Sequence, residues 1–146
     1  YYESLTTHDS SLSHSIHAAV ASRINELEKA YKHFKNAAKI DLGKDMQSSN
    51  EGVHAASYGG LWQSIVLGFG GVQFKNNELY IDPKLPKKWN LISFNLIVRN
   101  NKLNINITEQ KIAINILEKS TDLIINLKNK KYNVKNENKI IHEYQF

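Results

Sequence analysis

Two short stretches hold most of the residues in this sequence whose types and spacing suit chemistry: "THDSS" at 7–11 and "HAASYGG" at 54–60. The second is the more pointed. His54 and Ser57 are three apart, so on a helix they share a face and present a ring nitrogen and a hydroxyl together. They lead into an apolar run, "LWQSIVLGFGG", and so fall at a helix start. A helix start carries free N–H groups and partial positive charge, which suits an anion such as phosphate. Gly59 and Gly60 lie in the following turn, where each costs about 1 kcal/mol against Ala. Paired glycines there point to close approach of a ligand or another backbone, and tight helix packing is the plainer explanation. His8 and Ser10 are weaker candidates. Asp9, Ser10 and Ser11 are residue types that cap helices, and a lone histidine such as His8 is more often surface or hydrogen-bonded than a ligand. His14, His17 and His33 lie along helices with no assigned role, and no metal site is expected.

The elements that must position these residues divide the chain near residue 70. Residues 1–70 read as helices. Asp9 or Ser10 caps a helix with apolar positions Leu12, Ile16, Ala19 and Val20 on one face. Asn25 with Glu28 has the spacing of a capping box for a second helix, whose face is Leu27, Ala30, Tyr31, Phe34, Ala37 and Ala38. "DLGKDMQSSN" at 41–50 is a polar connection. A third helix starts between Asn50 and His54, with a face of Tyr58, Leu61, Trp62, Ile65, Val66 and Phe69, and stops at the glycines of "GFGG". Short links make successive helices antiparallel, so the first and third point the same way. Their two His- and Ser-bearing starts then share one end of the bundle. Three helices cannot bury these faces alone, so the helical part reads as the end of a larger helical body.

Residues 71–146 read as strands. "GVQFKNNELYIDP" is a hairpin turning at Asn76-Asn77. Phe94, Leu96 and Val98 alternate, as do Leu103, Ile105 and Ile107, then Ile112, Ile114 and Ile116, which is the period of half-buried strands. Consecutive strands pair locally, so the sheets are expected to be mostly antiparallel.

Composition narrows the partners. The chain has 146 residues and no cysteine, which removes disulfide and thiolate chemistry and suits a reducing compartment such as the cytoplasm. No apolar run is long enough to span a bilayer and no signal peptide is visible, so no membrane partner is expected. The chain begins "YYESLTTHDS", without Met, and is read as a piece of a longer protein. The first 71 residues carry six Lys/Arg and seven Asp/Glu, and the remainder thirteen and seven. The lysines of the basic half are scattered among Asn with no interleaved aromatic platform, so no nucleic acid is expected.

"LTTHDSSLS", "EGVHAASYGGLWQSIVLGFGGV" and "LYIDPKLPKKWNLISFNLIVRNNKLNINI" together resemble the C-terminal part of glycoside hydrolase family 65, which includes maltose, trehalose and kojibiose phosphorylases. The resemblance implies an α+β chain: residues 1–70 as the terminal helices of an (α/α)6 catalytic barrel, and 71–146 as a mostly antiparallel, β-sandwich-like C-terminal domain. It implies an inverting phosphorylase, in which phosphate attacks the anomeric carbon while a glutamic acid protonates the leaving oxygen. Phosphate is already anionic, so a general base is unnecessary and an anion cradle takes its place. The resemblance places phosphate binding on His54, Ser57, Gly59 and Gly60, with His8 and Ser10 lining the same end. The general acid falls outside this chain, so no catalytic residue is assigned within it, and the piece alone is expected to be inactive. Inorganic phosphate is the co-substrate and no cofactor is implied. The implied partners are a disaccharide, phosphate, and the remainder of the same polypeptide or a second copy. Glu51 is the one carboxylate in the phosphate-binding stretch, which keeps open a trehalase-like hydrolase of the same family. A non-catalytic, carbohydrate-associated domain is the third reading.

Overall fold

The computed structural model describes residues 2–42, 52–128 and 130–144. The chain forms two compact units, Tyr1–Gly68 and Phe69–Phe146. The whole is a mixed α+β chain with few helices and sheets that are antiparallel at all but one strand pair.

The first unit holds a 3-10 turn at Tyr2–Leu5 and three helices: α1 at Ser13–Arg23, α2 at Leu27–Ala38 and α3 at Ala55–Gln63. A π-helical turn at Ser64–Phe69 continues α3. Local signals differ from expectation at both predicted caps. Asn25 has φ 65°, the left-handed conformation that closes helices and that Asn tolerates. It therefore ends α1 and does not open α2; Glu26 occupies the cap of α2 without a side-chain hydrogen bond. Leu12 occupies the cap of α1, and the Ser10 hydroxyl accepts its N–H at 3.3 Å.

The buried face of α1 is also not the predicted one. Leu12, Ile16 and Val20 are exposed, while Ser15, Ala18, Ala21 and Ser22 are buried. The reason is what packs on α1, chiefly α2 and, along a close seam, α3. A Cβ added to Gly60 would lie 2.3 Å from Ser15 Oγ, and one on Gly68 would lie 2.9 Å from Ala19 Cα. Backbones that close admit only small side chains. The pairing of Ser15 with Gly60 and Ala19 with Gly68 runs α1 and α3 in the same sense, so their N-termini share one end of this unit. Ser64 sits in the seam, its buried hydroxyl 2.8 Å from the Ser15 carbonyl and 2.9 Å from that of Gly60. Bonding back to the carbonyl four residues earlier competes with the helical ladder, and the π-helical turn begins at this residue. The aromatic side of α3 is left outside, with Tyr58 51% and Trp62 47% exposed.

The second unit begins at Phe69, whose ring meets Trp89 edge-on with centroids 4.9 Å apart and whose carbonyl accepts the Lys84 N–H at 2.7 Å. Its strands are β1 Val72–Lys75, β2 Glu78–Ile81, β3 Ile92–Val98, β4 Asn101–Ile107, β5 Lys111–Glu118, β6 Ile124–Leu127, β7 Lys130–Asn133 and β8 Lys139–Glu143. They form two four-stranded sheets, ordered β1-β2-β6-β7 and β3-β4-β5-β8, with β2 and β6 parallel. Asn76-Asn77 and Arg99-Asn100 both have positive φ at both positions, the geometry that matches a two-residue turn to strand twist. Leu79, Ile81, Ile125 and Leu127 are buried in one sheet, and Leu103, Ile105, Ile107, Ile112 and Ile114 in the other. Buried Asn101 fastens two loops: its amide donates to the carbonyls of Val98 and Arg99, and its Oδ1 accepts the N–H groups of Ser120 and Thr121.

Candidate functional site

The start of α3 is tied to Asp41, a residue that no sequence motif marks. His54 is the cap residue, with φ −77° and ψ 76°, one step outside the helix. Its Nδ1 lies 2.7 Å from Asp41 Oδ1, and its backbone N–H reaches the same carboxylate at 3.1 Å and 3.3 Å. Asp41 is thus held twice by one residue. The His54 hydrogen bonds hold the Asp41 carboxyl below the usual carboxylate value against the opposing effect of burial. With Nδ1 committed to Asp41, Nε2 is the ring atom that remains to meet a ligand. The His54 side chain is 36% exposed and that of Asp41 9%. Asp41 is thirteen residues upstream in a polar stretch, and no local spacing ties it to His54.

Ser57 is placed differently. It lies on α3 at 2% exposure, and its hydroxyl has no hydrogen-bond partner among the described residues. Because His54 is non-helical, the three-residue spacing does not bring the two side chains onto one exposed face. The first-turn N–H groups are partly spent, that of Ala55 on the Val53 carbonyl and that of Ser57 on the His54 carbonyl. The two glycines separate as well. A Cβ on Gly59 would touch nothing within 4 Å, whereas Gly60 is needed for the α1 seam. The packing explanation therefore accounts for Gly60. Glu51 lies outside the described residues.

His8 belongs to a second cluster, which the sequence did not announce. The Glu3 carboxylate is met by His8 Nε2 at 3.1 Å, His17 Nδ1 at 2.5 Å and His33 Nε2 at 2.8 Å. His8 Nδ1 lies 2.9 Å from Ser13 Oγ, and His33 Nδ1 lies 3.0 Å from His14 Nδ1. Burial resists ionisation of Glu3, but hydrogen bonds from His17 and His8 and the charge of nearby His33 hold its carboxyl down at about 2. Burial lowers His14 and His33, and the neighbouring histidines lower both further. Ser10 takes no part beyond its bond to Leu12.

Comparison with known proteins decides the family. Residues 1–63 match the glycosyl hydrolase family 65 central catalytic domain, and residues 72–134 match the glycosyl hydrolase family 65 C-terminal domain. The chain belongs to glycosyl hydrolase family 65. Family 65 relatives include a kojibiose phosphorylase of Halothermothrix orenii, 46% identical over 117 residues, covering 80% of this chain and 15% of that protein. An α,α-trehalose phosphorylase of Thermoanaerobacter brockii is 44% identical over 118 residues, covering 81% of this chain and 15% of its own length. A solved structure from human microbiome, described as a candidate kojibiose phosphorylase, superposes with a TM-score of 0.89 at 34% identity. It covers 100% of this chain, which spans 21% of that one. The chain thus spans about 15% of the length of the curated family 65 relatives it matches. Of the sequence-predicted residues, His54, Ser57, Gly59 and Gly60 gather at the start of α3, while His8 joins the Glu3 cluster. Among the described residues no helix is long and apolar enough to cross a membrane.

Proposed function

We propose that this chain is the C-terminal part of an inverting α-glucoside phosphorylase and supplies part of its phosphate-binding site. One observation carries the reading: a partly exposed histidine at a helix start, fixed through Nδ1 by a carboxylate, which leaves Nε2 uncommitted to Asp41. In the intact enzyme His54 Nε2–H donates to a phosphate oxygen. Asp41 orients the ring and balances its charge when both nitrogens carry protons. Ser57 is the second donor, and at its 2% exposure the contact requires the first turn of α3 to shift. Phosphate then attacks the anomeric carbon of a disaccharide, and the general acid comes from elsewhere in the polypeptide.

In this reading residues 1–70 are the last helices of an (α/α)6 barrel and 71–146 a β-sandwich-like domain. Phosphate is co-substrate, no organic cofactor takes part, and the cytoplasm is the compartment. The exposed stripe of Leu12, Ile16, Val20 and Ile24 on α1, with Tyr58 and Trp62 on α3, is the face that the rest of the polypeptide covers. The relatives named above are phosphorylases, which favours phosphate over water as the nucleophile. The test is turnover of maltose, trehalose and kojibiose by the intact protein, with phosphate present and absent. Turnover is expected only with phosphate. His54→Ala removes a charge-assisted bond of roughly 1.5–3 kcal/mol, so phosphate use weakens about ten- to a hundredfold. Phosphate-independent hydrolysis would establish the hydrolase instead, and an unchanged phosphate KM in the variant would remove His54 from the site.

A further inference from the structure

We infer that Glu3, His8, His17 and His33 form a binding site for a divalent transition-metal ion of the zinc class. Each residue offers one ligand atom, and these four atoms all lie within 4.8 Å of one another. Three imidazole nitrogens converge on one carboxylate, two of them from α1 and α2 and the third from the segment ahead of α1. Three nitrogens and one carboxylate oxygen are the donor set of zinc, cobalt or nickel, and not of calcium or magnesium, which prefer oxygen alone.

The surroundings of two ligands support the assignment. A metal-bound histidine holds its other ring nitrogen in a second hydrogen bond, which fixes tautomer and orientation. His8 Nδ1 has the Ser13 hydroxyl at 2.9 Å, and His33 Nδ1 has His14 Nδ1 at 3.0 Å. In both rings Nε2 is then the atom facing the centre, and it gives up its proton, now shared with the Glu3 carboxylate, when it takes the metal. The rings are crowded, with centroids 4.4–5.4 Å apart among His8, His14, His17 and His33. Tetrahedral zinc, with bonds of about 2.0–2.1 Å, needs ligand atoms about 3.4 Å apart, so on binding the Glu3 carboxylate draws back slightly from nitrogens that now lie 2.5–3.1 Å from it, while the set as a whole stays within its 4.8 Å span. Glu3 is the ligand able to move, since its side chain is 47% exposed and it sits on a short 3-10 turn.

Four protein ligands close the coordination sphere, so the ion is structural and not catalytic. It ties the Tyr2–Leu5 turn and the segment ahead of α1 to the α1–α2 hairpin. This role is separate from phosphate binding at His54 and stands whether or not that reading does.

The test uses the intact polypeptide that contains this chain, stripped with a chelator and titrated with Co2+ at neutral pH. A tetrahedral cobalt absorption band saturating at one equivalent is expected, displaced by Zn2+ and untouched by Mg2+. His17→Gln and His33→Gln each delete a ligand. Loss of an outer-shell partner alone weakens metal binding about 10–100-fold, so each is expected to weaken Co2+ binding at least about a hundredfold. His142→Gln, in the second unit, is expected to bind as the parent does. Far-UV circular dichroism checks that the variants keep their helices. If either histidine variant unfolds, Glu3→Gln on the exposed turn takes its place. The inference is overturned if no tetrahedral band forms, or if a folded ligand variant binds Co2+ as tightly as the parent.

Discussion

The adjacent glycines of α3 make a sharp test of the packing argument, because one residue separates opposite outcomes. At Gly59 an added Cβ meets nothing within 4 Å. Gly59→Ala then gains helix propensity alone and is expected to stabilise the helical unit by about 0.5–1 kcal/mol. At Gly60 the same methyl would lie 2.3 Å from Ser15 Oγ and 2.9 Å from Ser15 Cβ. The hydroxyl can rotate away only by leaving the Leu12 carbonyl, which it holds at 2.8 Å, and that bond is worth about 1 kcal/mol. Ser15 Cβ can move only with the α1 backbone, an overpacking cost of about 1–3 kcal/mol. Against a propensity gain of about 1 kcal/mol, Gly60→Ala should destabilise by about 1–3 kcal/mol. For a unit of this size 1 kcal/mol corresponds to about 4–8 °C in Tm, so the two variants should straddle the parent by a readily measured margin. Thermal unfolding followed by helical circular dichroism reads this directly. Adding Ser15→Gly should restore much of the loss in Gly60→Ala and little in Gly59→Ala, since the clash is pairwise. If both glycine variants move Tm the same way by similar amounts, the α1–α3 seam is not as close as described. If Gly60→Ala instead left stability intact while impairing phosphate use by the intact enzyme, the glycine would be there for a ligand.

Asp41 has a lowered carboxyl pKa, so its bond to His54 contributes stability above the usual carboxylate range, and that stability is lost as pH falls through the depressed value. Urea midpoints at neutral and acid pH should show this acid sensitivity diminished in Asp41→Asn. Tyr144 is the reverse case: burial and the charge of Asp82 push its hydroxyl from 10.0 up to about 12. Its contribution is therefore complete below pH 10.0 and lost as pH rises toward about 12, and Tyr144→Phe should flatten that alkaline limb. The same variant removes the bond to the Thr108 carbonyl at 2.8 Å and should cost about 1 kcal/mol at neutral pH. Ile105→Ala, fully buried in β4, should cost about 2–5 kcal/mol in denaturant unfolding, a loss confined to the sheet unit.

Much of the strand unit was determined by the sequence itself. Alternation in Leu103, Ile105 and Ile107 needs only the period of an extended chain, and Asn76-Asn77 makes a two-residue turn because Asn tolerates positive φ. Those signals lie within a few neighbouring residues, so no distant partner can overrule them. The helices themselves were legible for the same reason, but their inward faces were not. The Leu12, Ile16 and Val20 stripe has the right period and still lies outside. Which face of a helix is buried depends on what packs there, and Gly60 and Gly68 bring α3 and its continuation so near that Ser15 and Ala19 fill the seam. The same limit applied to chemistry. His54 was visible as a polar residue at a helix start, but Asp41, which orients it, is thirteen residues away with no shared period. His8, His17 and His33 looked like unrelated histidines, and only the folding of α2 against α1 and the return of the N-terminal turn gather them around Glu3. Sequence spacing reports partners along one element; contacts between elements exist only once the chain has closed on itself, and both the Asp41–His54 pair and the Glu3 cluster are of that second kind.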